Sequence, residues 1–445
     1  MEDARRPEPA TSIGHADVLK IALPITLSNA TVPLIGFVDT VVIGQLGQPH
    51  LMGGVAVGAL VFTMLYWAFG FLRMGTTGLT AQALGAGDNR EIAGHLLRAL
   101  MVAGIGGVLV ILLQGPIRVS ALWVTGGSPD VVAAATLYFD VRIWAAPAGL
   151  VNFALLGWFI GLGRAGTAFG LQLLLNLGNV ALAILLVLGM GYGVAGVGVA
   201  ALIAEYVAAV VGLATALAMA RRLGVSAPVS DAFDGMRLRR SFAINADITV
   251  RTMATFFVLT FFTAQGAAAG DVTLAANALL ISMKNIVVYL LDGFAFAVEA
   301  LVGRAIGAKD RATFRRAVAL STWWAGGFAL ILSAGLWFIG SAVIDLSAKS
   351  GEVQTAARTF LAWAAVSPII GVWCFQLDGI FIGATRTRDM RNMMLLSVVV
   401  FFVAWSILGP AFGNHGLWAA WMVFYVARAT TLYTRLGSLE RAAFR

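Results

Sequence analysis

Five acidic residues lie inside long apolar runs of this 445-residue sequence. They are Asp39, Glu205, Asp292, Glu299 and Asp378. Four basic residues have similar surroundings, namely Arg73, Arg142, Arg251 and Lys284. A buried acid either pairs with a cation or a polar group, or it takes up a proton. These charges are therefore the first candidates for chemistry in the chain.

Asp39 differs from the other acids because no basic residue lies within one or two helical turns of it along the sequence. An unpaired buried acid tends to stay protonated until water or a partner reaches it. Pro33 lies six residues earlier in the same run, and a proline allows a helix to bend. A bendable helix with a titratable acid would act as a proton switch. The alternatives are a hydrogen-bonded structural acid and a simple packing kink.

Three asparagines are the expected neighbours of Asp39. Asn176 and Asn179 are three residues apart and therefore share one face of a helix. A buried amide needs a hydrogen-bond partner, and an acid on a neighbouring helix would supply one. We expect Asn152 to join this group. The alternative is that the amides only hold helices together.

The second half of the chain has its own group of charges. Asp292 and Glu299 are seven residues apart, so they lie on nearly the same helical face, about two turns from each other. Lys284 reaches Asp292 or Asp378 only if the fold brings their helices close. A structural role and a functional role are both open for these residues.

Two further charge positions favour structural interpretations. Asp247 and Arg251 are four residues apart, which predicts an ion pair within one helix. Glu205 lies nearer the end of its apolar run, and we expect it to be structural.

The elements that carry these residues are predicted to be membrane-spanning helices. The chain is 60% hydrophobic and only 12% charged, whereas a soluble domain has about 45–50% apolar and about 25% charged residues. Alternating segments typical of a membrane β-barrel are not found. We therefore predict an all-α polytopic membrane protein. Its twelve spans are predicted at 18–45, 52–84, 93–115, 131–162, 166–190, 194–221, 238–268, 273–306, 314–340, 352–384, 390–411 and 415–435.

Charge in the connecting loops predicts the orientation. Basic residues concentrate after even-numbered spans, with Arg118 and Lys349 as the clearest exceptions. The positive-inside rule then places both termini in the cytoplasm, which suits the inner (plasma) membrane. The net charge of +8 is explained by this topology and gives no reason to expect a nucleic-acid partner. Residues 1–17 lack the apolar core of a signal peptide and are expected to form a disordered cytoplasmic leader.

The two halves of the sequence repeat. LTAQALGAGD (79–88) matches LVGRAIGAKD (301–310), and GWFIGLGR (157–164) matches GIFIGATR (379–386), both at an offset of 222 residues. This predicts a parallel repeat of six helices with a pseudo-twofold axis along the membrane normal. The expected units are an N-lobe (18–221), a linker (222–237), a C-lobe (238–435) and a tail (436–445). Repeats of this kind are typical of secondary transporters.

Motifs for catalysis are missing from the sequence. It contains no HExxH, CxxC, GxSxG or phosphate-loop pattern, and its single cysteine, Cys374, excludes an intramolecular disulfide. We therefore predict that the protein is not an enzyme and has no cofactor and no metal site. An ion gradient would supply the energy for active transport.

The first span, ALPITLSNATVPLIGFVDTVVIGQLG (22–47), resembles the first helix of the multidrug and toxic compound extrusion (MATE) family in its two prolines, its aspartate and its closing GxLG. The LTAQALGAGD segment, the NxxN at 176–179 and the two GxFIGxxR ends fit the same family. The segment LDGIFIGATRTRDMRN (377–392) is most similar to the DinF-like branch. The resemblance covers about residues 18–435.

This resemblance implies two six-helix lobes around a central cleft and export of lipophilic, cationic compounds by alternating access, driven by a cation gradient. Asp39 matches the family acid implicated in proton coupling and substrate binding in the first lobe. Asn179 matches an asparagine that bonds near that acid, and Asp378 matches an acid of the second lobe in some members. Some relatives carry an aspartate where this chain has Ala183. One acid among neutral amides favours a proton over sodium.

Three alternatives stay open. A sodium-coupled antiporter differs only in its ion. A lipid-linked saccharide flippase of related architecture would need the four intramembrane basic residues in its cleft and Asp39 in a salt bridge. A membrane-embedded enzyme lacks a catalytic group of residues. The expected partners are small lipophilic cations and the bilayer, and the expected state is a monomer.

Overall fold

A computed structural model describes residues 13–125, 128–224, 226 and 233–445. The described residues form helices and connecting loops, without strands. Most of the predicted leader, and residues 225 and 227–232 of the predicted linker, lie outside them. The helices are α1 (His15–Gly44), α2 (Pro49–Ala68), α3 (Phe71–Gly85), α4 (Asn89–Leu112), α5 (Gln114–Thr125), α6 (Pro129–Arg142), α7 (Ala146–Gly161), α8 (Ala165–Ile184), α9 (Gly193–Arg222), α10 (Gly235–Ala268), α11 (Asp271–Gly307), α12 (Arg311–Ser347), α13 (Gly351–Gly383) and α14 (Thr387–Ala443).

These helices make the twelve predicted spans, because some spans are broken and one helix contains two of them. Span 2 is α2 followed by α3, and span 4 is α6 and α7 joined by the 3₁₀ turn Ile143–Ala145. The helix α14 is split at Gly413, whose φ of 54° is not helical, so it holds spans 11 and 12. Among the described residues, ten helical stretches are long and apolar enough to cross a bilayer. The protein is a multi-pass membrane protein. The last helix runs on to Ala443, so most of the predicted tail is helical.

The repeat seen in the sequence is also present in the backbone. Asp88 caps α4 by accepting a hydrogen bond from the Glu91 N–H, and Asp310 caps α12 in the same way from Thr313. Gly163 and Thr385, which are 222 residues apart, both have positive φ (70° and 53°). A threonine rarely adopts this conformation, so the tight turn is imposed by the helices on each side. The two halves therefore share one local geometry as well as a sequence pattern.

The two lobes meet at one end of the bundle, which we call the arginine-rich end, formed by the loops 86–88, 162–164, 308–310 and 384–386. There α3 crosses α11 with backbone against backbone. A Cβ added at Gly85 would collide with the carbonyl oxygen of Arg304, and one at Gly307 would collide with that of Gln82. Positions 82 and 304, like 85 and 307, are 222 apart, so each half makes the same contact to the other.

Further contacts between the lobes lie in the same half of the molecule. The Thr26 hydroxyl on α1 donates to the Leu290 carbonyl at 3.0 Å, and the Asn29 amide donates to the Tyr289 carbonyl at 2.9 Å. Gln82 donates to the Gly383 carbonyl at 2.8 Å. For the described residues, the hydrogen bonds and ion pairs between lobes all lie from mid-span to the arginine-rich end. The structure is therefore closed at that end.

Candidate functional site

Asp39 lies in the half of α1 farther from the arginine-rich end, and its residue is only 4% exposed. Its Oδ1 atom accepts no hydrogen bond from the described residues, and the carboxylate forms no ion pair with them. The Arg142 guanidinium, from α6, attracts it electrostatically at longer range. The sequence showed no cation near Asp39 because Arg142 comes from another helix.

Arg142 is itself held away from a direct ion pair. It donates a hydrogen bond to the Tyr138 hydroxyl one turn earlier on α6. Its guanidinium carbon lies 4.9 Å from the centre of the Phe62 ring on α2. A cation held on a phenol and a ring face still lowers the cost of a nearby negative charge. Asp39 is thus buried beside a cation without being neutralised by a contact with it.

Asn176 and Asn179 both lie on α8, which packs against α1, but neither makes the predicted hydrogen bond to Asp39 among the described residues. Asn176 donates to the Thr31 hydroxyl on α1 and accepts from Gln172 at 3.0 Å, so it does not contact the acid. Asn179 is buried, and its Oδ1 atom has no donor among the described residues. In the part of the chain that the structure describes, Asn179 and Asp39 are not joined by a hydrogen bond.

The expectation for Asn152 was wrong. Its amide donates to the Glu205 carboxylate at 2.7 Å and to the Glu205 carbonyl at 3.0 Å. The reason is that α7 presents Asn152 to α9, while the other two asparagines lie on α8. Glu205 has its own partner, as a structural acid would. Pro33 lies within α1, but its side chain is outside the described part of the structure.

In the second lobe, Asp378 on α13 is held by two arginines. Arg251 from α10 and Arg428 from α14 both donate to its Oδ2 atom, the latter at 2.6 Å. The predicted pair within α10 was therefore wrong. Asp247 instead accepts from Arg391 at 2.6 Å, on α14. The helical spacing allowed an internal pair, but both side chains find stronger partners on neighbouring helices.

Glu299 and Asp292 complete a network that crosses between the lobes. Arg73 on α3 lies 3.6 Å from Glu299 on α11, and its guanidinium also lies 3.6 Å from the Phe296 ring centre. Asp292 interacts electrostatically with Arg73 and Arg251 rather than by contact. The three acids of this network face three arginines. When all are ionised, they sum to zero.

Lys284 forms no ion pair with Asp292 or Asp378, its two predicted partners. Its ammonium donates to the Tyr425 hydroxyl at 3.4 Å and lies 4.4 Å from the centre of the Trp421 ring. Asp378 is occupied by its arginines, and Asp292 is eight residues along the same helix, about 12 Å away by helical rise. This buried cation therefore has aromatic partners instead of an acid.

Arg428, which donates to Asp378, was not among the site residues predicted from the sequence. It lies in the apolar segment WMVFYVARATTLY of the last span, and it is 3% exposed. Arg73 and Arg142 were selected because they are arginines inside predicted spans, and Arg428 could have been selected for the same reason. Its partner could not be predicted, because the sequence does not say which helices meet. Among the described residues, no cluster of three His, Cys, Asp or Glu could hold a metal ion.

Comparison with known proteins agrees with this architecture. The MatE family profile matches residues 24–185 and 249–406, which is most of the chain. The chain belongs to the MatE family. DNA damage-inducible protein F of Escherichia coli strain K12 is 39% identical to it over 412 residues, which cover 93% of this chain and 90% of that protein. A probable multidrug resistance protein NorM of Caulobacter vibrioides is 26% identical over 416 residues, covering 88% and 83%.

Solved structures share the fold of this MatE protein. A MATE crystal structure in the bent conformation superposes with a TM-score of 0.87 at 18% identity, covering 96% of this chain and 97% of the other. An outward-facing multidrug resistance MATE family transporter of the MOP superfamily gives a TM-score of 0.84 at 16% identity, covering 96% and 97%. The two-lobe, twelve-helix prediction is confirmed. MATE proteins are transporters, not enzymes, and they need no prosthetic cofactor.

Proposed function

We propose that this protein is a proton-coupled multidrug exporter of the inner membrane, with both termini in the cytoplasm, that moves lipophilic cations by alternating access. The units are the N-lobe (18–221) and the C-lobe (238–435), and the transporter acts as a monomer. The observation that carries the proposal is Asp39. It is a buried carboxylate, and among the described residues one of its oxygens finds no donor and no cation contacts it.

Asp39 suits a proton because of what surrounds it. When protonated it becomes a neutral donor. The helix α8, which packs against α1, carries the buried Oδ1 atom of Asn179, an acceptor that finds no donor among the described residues. When deprotonated it is stabilised by the field of Arg142. Both charge states are thus supported, as a group that cycles between them requires. Ala183 is a buried apolar residue of the same helix and offers no second carboxylate for sodium.

The flippase alternative receives little support from the geometry. It would need free basic residues and a salt-bridged Asp39. Of the four basic residues, Lys284 forms no ion pair with the described residues and contacts Tyr425 and Trp421. Arg73 and Arg251 are instead paired with acids, Arg142 donates to Tyr138, and Asp39 forms no salt bridge with the described residues. A negatively charged lipid-linked substrate would have to break these pairs.

The test is transport of ethidium in proteoliposomes with an imposed proton or sodium gradient. Asp39→Asn keeps the shape and removes the titration, so we expect proton-driven efflux to fall to background. Ethidium exchange without a gradient should remain, because binding and rocking do not require net proton transfer. The matched control is Asp140→Asn, a half-buried acid paired with Arg118 at 2.7 Å. Undiminished pH-driven efflux in Asp39→Asn, or equal efflux with sodium alone, would refute the proposal.

A further inference from the structure

We propose that the second lobe contains a binding site for the anionic group of a lipophilic, aromatic ligand. The site is built from the Lys284 ammonium, the rings of Trp421 and Tyr425, and the guanidinium of Arg428. The inference concerns binding alone and holds or fails independently of proton coupling at Asp39.

The first observation is a buried cation without an acid. Lys284 is 4% exposed. An ammonium group has three N–H donors, and the Tyr425 hydroxyl takes one of them at 3.4 Å. The Trp421 ring face, with its centre 4.4 Å away, gives electrostatic attraction but no acceptor atom. No described carboxylate lies within ion-pair distance. A buried charge in this condition is normally paired.

The second observation is an excess of donors in the same region. The indole Nε1 of Trp421 and the Nε atoms of Arg428 and Arg251 are buried and find no acceptor among the described residues. On the acceptor side, the Oδ1 atom of Asp378 is unused. Several unused donors therefore stand against this one carboxylate oxygen. A carboxylate or sulfonate is a group of acceptors only, so it complements such a surface.

The third observation is the charge balance. The network of Arg73, Arg251 and Arg428 with Asp292, Glu299 and Asp378 sums to zero, and Lys284 adds one uncompensated positive charge. The acids of this network are already matched by arginines, so an anionic group on the ligand would give Lys284 the partner that it lacks among the described residues. In the first lobe, Asp39 and Glu205 face Arg142, while Arg73 of the same lobe pairs with Glu299 across the interface.

The surrounding rings define the rest of the ligand. Trp421 and Tyr425 have ring centres 5.8 Å apart, and Phe375 lies 5.5 Å from Tyr425 in an edge-to-face arrangement. Aromatic side chains favour a flat apolar body, which stacks or packs against their edges. A small inorganic anion would leave these rings unused and lose its hydration. The ligand class is therefore aromatic carboxylates and sulfonates.

The experiment is calorimetric titration of the full-length protein in nanodiscs with two probes of one shape, 2-naphthoate and the neutral 2-naphthalenemethanol. We expect the wild type to bind the acid at least about tenfold more tightly than the alcohol, since charge-assisted hydrogen bonds are the stronger kind. Lys284→Met keeps an unbranched apolar side chain and should abolish this preference while leaving alcohol binding within about twofold. Lys284→Arg should keep the preference.

Two further variants make the result decisive. Lys349→Met, an exposed lysine far along the chain, is the control for nonspecific charge and should behave like the wild type. Trp421→Phe keeps an aromatic ring, removes the N–H donor and should weaken acid binding several-fold, which tests the site even if Lys284→Met does not fold. Equal binding of acid and alcohol by the wild type would overturn the proposal. So would an unchanged preference in Lys284→Met and Trp421→Phe.

Discussion

At the residue scale, the buried acids Asp247, Glu299 and Asp378 of the second lobe find their arginine partners on other helices. Asp247 pairs with Arg391, and Arg251 pairs with Asp378, although the sequence spacing favoured a pair between Asp247 and Arg251. A pair on one helix surface contributes only about 0.2–0.5 kcal/mol. A bidentate or buried contact across helices gains more because water competes less for it. Most of these residues could be recognised from the sequence as charges inside apolar spans. Their ion-pair partners could not be predicted, because the partners depend on which helices are in contact.

A residue-scale prediction concerns Asp310, the cap of α12 outside the membrane. Hydrogen bonds from the Thr313 hydroxyl and backbone N–H hold the pKa of Asp310 below its ordinary value of 3.8. Because the folded value is the lower one, the stabilisation is fully present above about pH 4 and is lost as the pH falls through the folded value. Asp310→Ala should therefore lower stability by about 1 kcal/mol at pH 7 and by less in acid.

The measurement for Asp310 is the melting temperature of detergent-solubilised protein between pH 7 and pH 3. The gap between wild type and Asp310→Ala should narrow as the pH falls. Asp310→Asn, which still accepts the Thr313 hydrogen bonds, should show the weaker pH dependence of an uncharged cap. A gap that stays constant down to pH 3 would contradict the assignment.

At the element scale, small residues determine how closely the helices approach. Hydropathy alone predicted span limits within a few residues for most helices, because a bilayer requires about 20 apolar residues for each crossing. It did not predict the interruption of span 2 near Phe69 and Gly70, nor the π turn Leu185–Gly189 after α8. Such breaks depend on packing against neighbours rather than on composition. The glycines at the α3–α11 crossing are the clearest case.

Gly85→Ala should disturb this crossing. The new Cβ would collide with the Arg304 carbonyl oxygen, which belongs to backbone and cannot rotate away. Overpacking of this kind costs about 1–3 kcal/mol. We expect a lower melting temperature and slower ethidium transport. Gly104→Ala is the matched control, because nothing lies within 4 Å of a Cβ there, and alanine in a helix interior is favoured by about 0.5–1 kcal/mol. Similar losses in both variants would refute the role of the crossing.

At the scale of the whole molecule, the described state is closed at the arginine-rich end, and alternating access requires a second state closed at the other end. Spin labels at Asn89 and Arg388 report on the arginine-rich end, and labels at Gln48 and Asp271 report on the opposite end. The two label-to-label distances are measured by pulsed electron paramagnetic resonance in a Cys374→Ala background. We expect a second population in which the distance between the first two labels is longer and the distance between the other two is shorter. Distances that change in the same direction would exclude rocking of two rigid lobes.

The mutual contact of Gly85 with Arg304 and of Gly307 with Gln82 has the form of an interface between two identical subunits. In such a dimer, every substitution appears twice, once on each side of the axis. In an identical dimer, the ion pair between Arg73 and Glu299 would be matched by a second arginine–glutamate pair at positions 295 and 77. These positions are Ala295 and Thr77 here, so the ion pair occurs only once. Fusing the two copies into one chain removes this constraint. Each half can then change independently. The α3–α11 crossing keeps its twofold symmetry, while the ion pair between Arg73 and Glu299 beside it is asymmetric.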